Sequence, residues 1–305
     1  MQKKNRRLRW VLIPVIAVII LLGLIFQRAW QNEKANQGLE ATKKINIVTS
    51  LAVYGEMAKA VVGNRGQVES ILTKASIDPH EYEPSVETAK QYAKAQLIIS
   101  NGAGYDAWST KFAKANQKAQ KINVNQVVGY QAGDNEHFWY QPMIAKQMKQ
   151  PLVDKLSSID PASKSYFEAN AKKYMATLRP LENKRNKLSV QLKGKKIMVT
   201  EPVYDNALTG LGVKNINQNF SRAIEAGNDP IPTDVLAWND TLKQGEVAFV
   251  VNNPQAENTV TKRAVRMARQ DKVPVVEVTE TKPDDKNYLQ WQLEILDQIE
   301  EALKS

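Results

Sequence analysis

Asp78-Pro79-His80-Glu81-Tyr82-Glu83-Pro84-Ser85 joins two segments of different period. Before it, Val68 to Leu72 reads as a strand. After it, Ser85 is a good N-cap, and helical spacing runs on to about Ala95. Upstream, Ile45 to Thr49 is a further strand, and Leu51 to Val62 a helix ending at Gly63. Downstream, Leu97 to Ser100 is a third strand, leading into Asn101-Gly102-Ala103-Gly104-Tyr105-Asp106-Ala107-Trp108. This βαβα rhythm predicts a mostly parallel sheet covered by helices. Ligands of such sheets bind beyond the carboxyl ends of the strands, which is where the His80 loop falls.

The rhythm is interrupted and then resumes. From about Pro161 to Leu192 the chain is polar and Lys-rich, with Tyr166, Tyr174, Leu178, Leu181 and Leu188 as a sparse apolar stripe at helical spacing. A helix of that length would be ~45 Å long and is expected to act as a strut between two domains, with Pro180 marking a kink or break. Strands follow at Lys196–Thr200, Val247–Val251 and Val273–Val278, with Glu201 and Glu280 just past two of their ends. An amphipathic helix from about Tyr288 to Leu303 closes the chain. Residues 214–240 hold polar turns with Pro230 and Pro232 and show no clear element. The expected fold class is α/β: two similar lobes, 45–160 and 193–305, joined by one long rigid helix over 161–192.

Composition narrows the classes. The chain has 305 residues, no cysteine, two histidines and a formal net charge of +10. Without cysteine there is no disulfide framework, thiolate zinc site, cysteine nucleophile or lipid-bearing cysteine. Five of the positive charges, Lys3, Lys4, Arg6, Arg7 and Arg9, precede an apolar run from Trp10 to Phe26. That order holds the N-terminus in the cytoplasm and sends the rest outward. Residues 1–30 are therefore expected to be a basic tip and an uncleaved membrane anchor, with a cleaved signal peptide as the alternative, and 31–44 a linker. No Arg-rich cluster interleaved with aromatics points to nucleic acid.

The rarity of histidine directs attention to His80 and His137, since neutral imidazole is the commonest metal ligand. Each belongs to the first expected lobe; Glu201 and Glu280 belong to the second. Two imidazoles and two carboxylates in a cleft would make a site for one divalent ion, with mixed nitrogen and oxygen donors suited to manganese, iron or zinc. The same residues also have ordinary uses: solvated strand-end carboxylates, a surface histidine, and packing or capping by Asp106 and Trp108.

The motifs carry a resemblance from about Ile45 to the C-terminus. The chain resembles the solute-binding proteins of manganese/zinc ABC importers, a metal-receptor family that includes pneumococcal surface adhesin-type lipoproteins. Asp78 to Ser85 is similar to that family's first-ligand loop almost letter for letter, and Asn101 to Trp108 to its Asn-Gly-x-Gly segment. Asn135-Glu136-His137-Phe138-Trp139 is similar to the second-ligand motif, with Glu136 where the family has proline. Thr200-Glu201-Pro202 matches the third-ligand position. Val278-Thr279-Glu280-Thr281 matches the fourth, with Glu280 in place of the commoner Asp and with Asp284 and Asp285 nearby as substitutes. The resemblance implies metal ligation by His80, His137, Glu201 and Glu280. It also implies capture of Mn2+ or Zn2+ outside the cytoplasm, and delivery to a membrane permease driven by an intracellular ATPase. The His2Glu2 donor set leans toward manganese. The protein is expected to be a membrane-anchored monomer and not an enzyme. A surface adhesin is the alternative, and an extracellular metallohydrolase a more distant one, since His-Glu-x-x-His and Gly-x-Ser-x-Gly are both missing.

Overall fold

A computed structural model describes residues 23–24, 26–28, 44–74 and 82–304. The chain divides into two units, 1–44 and 45–305. In the first, Gly23, Leu24, Phe26, Gln27 and Arg28 are helical. The rest of the expected anchor, and the linker up to residue 43, lie outside the described residues. Among the described residues, no helix is long and apolar enough to cross a membrane.

Among the described residues, the second unit carries two four-stranded sheets. The first contains β1 (Ile45–Leu51), β2 (Gly66–Leu72), β3 (Leu97–Ser100) and β4 (Gln120–Asn123), in the order β2-β1-β3-β4. The second contains β5 (Lys196–Val199), β6 (Lys214–Asn215), β7 (Val247–Asn252) and β8 (Val275–Glu277), in the order β6-β5-β7-β8. Every neighbouring pair is parallel. The same order thus appears twice, and in each sheet it reverses between the first and third strands. Burial explains the composition: β3 is buried along its whole length and apolar except at its end, whereas β2, at an edge, alternates polar Gln67 and Glu69 with Val68.

Helices cover both sheets. The first, α1 (Ala52–Val62), buries Val53, Tyr54, Met57, Ala58, Val61 and Val62, the i, i+3/i+4 face expected of an amphipathic helix. It ends at Gly63 with φ +56. After β2, residues 75–81, His80 among them, lie outside the described residues. The next helix, α2 (Val86–Lys94), starts as expected at Ser85, whose Oγ accepts from Thr88 N at 3.1 Å. In return, Ser85 N donates to Thr88 Oγ1 at 3.3 Å, closing a capping box. Helices α3 (Ala107–Ala115), α4 (Val124–Val128) and α5 (Ile144–Ile159) complete the first half.

The stretch 161–192 is not the one long rigid helix expected, but a single turn at Pro161–Ser163 followed by two helices, α6 (Lys164–Thr177) and α7 (Arg179–Leu192). Their junction is Leu178, two residues ahead of Pro180. Proline in the first turn of α7 sacrifices an N–H that would have had no helical partner, so the break precedes it. Helix α6 packs on α1 and α5. Helix α7 packs on α8 (Asp205–Leu211) and on α12 (Tyr288–Ala302), the closing helix. Residues 214–240 resolve into β6, α9 (Gln218–Glu225) and α10 (Pro232–Lys243), and α11 (Thr259–Gln270) lies between β7 and β8. One continuous apolar cluster runs from Ile47 and Ile99 of the first sheet through Leu188 to Phe249 and Val276 of the second.

The capping box is testable. Ser85→Ala is expected to lower unfolding free energy by about 1 kcal/mol in urea titrations. A midpoint equal to that of the parent chain would mean the box contributes nothing.

Candidate metal centre

The site grows from loops at the carboxyl edges of the two sheets. After β3, the buried Asp106 carboxylate accepts from Asn101 N at 2.7 Å and from Gly102 N at 2.8 Å. That turn requires glycine: Gly102 has φ +80, and a Cβ there would lie 2.2 Å from Asn123 Oδ1. Burial pushes the Asp106 carboxyl up to about 6, against the opposing hydrogen bonds from Gly102 and Asn101. The turn in turn presents Asn101, whose Oδ1 accepts from Tyr54 and whose Nδ2 donates to Glu136 O at 3.1 Å. Glu136, in the position the family fills with proline, is thus held through its backbone.

His137 follows directly and is 1% exposed. Its ring lies edge-on to Tyr105 and Trp139, with centroids 5.9 and 5.3 Å away. Nδ1 is 3.0 Å from Asn135 Oδ1. Among the described residues Nε2 has no hydrogen-bond partner, and it faces Glu280 Oε1 at 3.6 Å. That distance is too long for a hydrogen bond but within reach of an ion pair. Glu280, three residues past β8, is 4% exposed, and its Oε1 accepts from Tyr105 OH at 2.8 Å. Burial alone would lower the His137 pKa. The Glu280 carboxylate, helped by Glu136 and Glu225, overrides it and raises the value above 6.5. Burial and the same carboxylate hold the Tyr105 hydroxyl far above its ordinary range, so it stays a donor. Asp284 and Asp285 are exposed, which leaves Glu280 as the buried carboxylate of this segment.

Glu201 follows β5 and is 6% exposed, with Oε2 accepting from Asn253 Nδ2 at 2.6 Å. Asn253 follows β7, the strand beside β5, so this contact bridges the point where strand order reverses. The described residues therefore bring His137 and Glu280 together. They do not bring Glu201 into a group of three potential ligands with that pair, and His80 lies outside them.

Four contributors escape the sequence reading. Tyr105 and Asn135 lie within motifs already quoted, but their hydrogen-bond roles depend on long-range contacts. Asn253 follows a strand end, where only its amide type hinted at use. Glu225 closes α9, inside the unreadable stretch. Burial pushes its carboxyl up to about 7; His137 opposes this, while Glu136, Glu201 and Asp205 add to it.

Raising the His137 pKa on folding makes metal-free stability depend on pH. The contribution is fully present below the ordinary value of 6.5 and is lost as pH rises through the higher folded-state value. The stability difference between the metal-free parent and His137→Gln, read from urea unfolding, should therefore shift against the parent from about pH 6 to about pH 9. A difference that stays constant across that range would contradict the pairing with Glu280.

Comparison with known proteins gives one consistent answer. Residues 47–302 match the ZnuA family, described as zinc-uptake complex component A, periplasmic. The chain is 28% identical over 197 residues to the metal ABC transporter substrate-binding lipoprotein ScbA of Streptococcus cristatus, covering 60% of this chain and 63% of the relative. It is 25% identical over 312 aligned positions to the manganese ABC transporter substrate-binding lipoprotein scaA of Streptococcus gordonii, covering 94% of this chain and 97% of that one. Among solved structures, a crystal structure of ZnuA superposes with a TM-score of 0.69 at 18% identity, over 86% of this chain and 99% of the other. That likeness extends the agreement to the fold. With the match running through both sheets and both candidate half-sites, the chain belongs to the ZnuA family.

Proposed function

We propose that His80, His137, Glu201 and Glu280 hold one divalent ion, Mn2+ or Zn2+, between a lobe of residues 45–160 and a lobe of residues 193–305. This is the capture step of metal uptake. The chain acts as the substrate-binding component of a metal ABC importer, delivering its ion to a membrane permease powered by an ATPase. Residues 161–192 connect the lobes as the α6–α7 pair. The supporting observation is the meeting of His137 Nε2 with the Glu280 carboxylate at 3.6 Å, both groups buried and each from a different half. That gap is shorter than two metal–ligand bonds of ~2.1 Å laid end to end, so one ion can bond to both atoms. Glu201 adds a second carboxylate, so the two negative charges balance a divalent cation in a site that excludes water. His80, in the connection between β2 and α2, supplies the second imidazole.

No bond-breaking step is assigned to the chain. The oxygen-rich donor set suits manganese, while intrinsic affinity favours zinc. We place the site outside the cytoplasm, with the apolar run Trp10–Phe26 as the tether of a monomer.

Protein purified without chelators should contain stoichiometric Mn or Zn by elemental analysis, and a His80→Ala, His137→Ala double variant should contain none. Calorimetric affinity for Mn2+ should fall from about pH 7.5 to about pH 5.5 as protons compete for the imidazoles. Metal-free parent protein, or an affinity flat across that range, would overturn the assignment. Glu280→Gln should weaken Mn2+ binding by at least about tenfold, since it removes the charge that balances the ion.

A further inference from the structure

The side chain of Asn135 is oriented at both ends. Its Nδ2 donates to Pro202 O at 2.7 Å, which identifies that end as the amide nitrogen. Its Oδ1 accepts from the backbone N of His137 at 2.9 Å and from Asn206 Nδ2 at 3.0 Å. Asn206 is fixed in the same way, because its Nδ2 also donates to the carbonyl oxygens of Asn135 at 3.2 Å and His137 at 3.0 Å. The remaining hydrogen-bond neighbour of Asn135 Oδ1 among the described residues is His137 Nδ1 at 3.0 Å. An amide oxygen can only accept, so Nδ1 carries the hydrogen. In the neutral ring the lone pair is then on Nε2, the atom that faces Glu280.

The electrostatics around Nε2 favour the opposite tautomer. With Glu280 Oε1 3.6 Å away, a hydrogen on Nε2 would point at a carboxylate. Asn135 is the group that holds the ring against this preference. The same side chain spans the two halves: Pro202 adjoins Glu201, and Asn206 lies in the first turn of α8.

We propose that Asn135 is a positioning residue for metal capture. It fixes His137 as the Nδ1–H tautomer, so that Nε2 is presented to the ion. Through Pro202 and Asn206 it also ties that presentation to docking of the second half beside Glu201. The proposal rests on the reading of His137 as a ligand, but the tautomer can be measured without metal.

The experiment is a long-range 1H–15N spectrum of the metal-free full chain, recorded above the His137 titration midpoint found from a pH series, so that the ring is neutral. With only two histidines in the sequence, His80→Gln assigns the two ring systems. The parent is expected to show Nδ1–H at His137. Asn135→Asp, which keeps an acceptor beside Nδ1 and loses the donor to Pro202, should show the same tautomer. Asn135→Ala should shift to Nε2–H. Calorimetry with Mn2+ should then show a ~10–100-fold loss for Asn135→Ala, as expected when a metal-bound histidine loses its supporting hydrogen bond, and a smaller loss for Asn135→Asp. Nε2–H in the parent, or Nδ1–H retained in Asn135→Ala, would overturn the proposal. The parent spectrum and Asn135→Asp decide the matter even where Asn135→Ala does not fold. A parent with the expected tautomer that binds no Mn2+ would overturn the metal reading, and the positioning role with it, while leaving the hydrogen-bond assignment standing.

Discussion

A neutral imidazole nitrogen turned toward a carboxylate, with water kept out, is unfavourable unless a positive charge lies between them. His137 and Glu280 are held in that relation, and much of the neighbouring structure maintains it. Tyr105 donates to Glu280 from the first half. Tyr140 donates to Thr279 O, and Trp291 Nε1 to Thr279 Oγ1 at 3.1 Å, fixing the segment that carries Glu280. Glu280 raises the His137 pKa, so it favours a proton on the ring, and a divalent ion bonded to both groups would take that proton's place. Competition between the two follows from the placement of the groups, without any further device.

The repeated sheet order is what makes such a placement economical. Each four-stranded parallel sheet reverses order once, and its functional loops gather at the carboxyl edge. In the first half the Asn101 turn braces the backbone of the His137 loop. In the second, Glu201 and Asn253 meet across β5 and β7. Two copies of one simple topology therefore place two candidate half-sites at like positions. One apolar cluster is shared between the two sheets.

Local chemistry explains which parts were legible in the sequence. Ser85 announced its helix because an N-cap acts within three residues, and the structure forms that cap. The parallel strands were legible from buried apolar runs such as Leu97 to Ser100, and the position of Glu280 just past the last strand, though not its burial against His137, could be read the same way. The break expected near Pro180 falls at Leu178, because proline is tolerated in the first turn of a helix, and it divides the expected single helix in two. Residues 214–240 were unreadable because β6 has only two residues, and its pairing with β5 is set by tertiary contacts. The role of Asn135 was hidden for a related reason: its partners Pro202 and Asn206 are more than sixty positions away.

The groups that hold the candidate ligands are largely amides. Asn101 braces Glu136, Asn135 and Asn206 brace His137, and Asn253 braces Glu201. Amide side chains do not titrate in water, so mild acid can reach the imidazoles and carboxylates without undoing these contacts. Asp106, behind the Asn101 turn with its carboxyl near 6, is the acid-sensitive member of the frame. If the proposed ligands hold the ion, protons could displace the cargo and leave most of the mould in which the next ion would be cast.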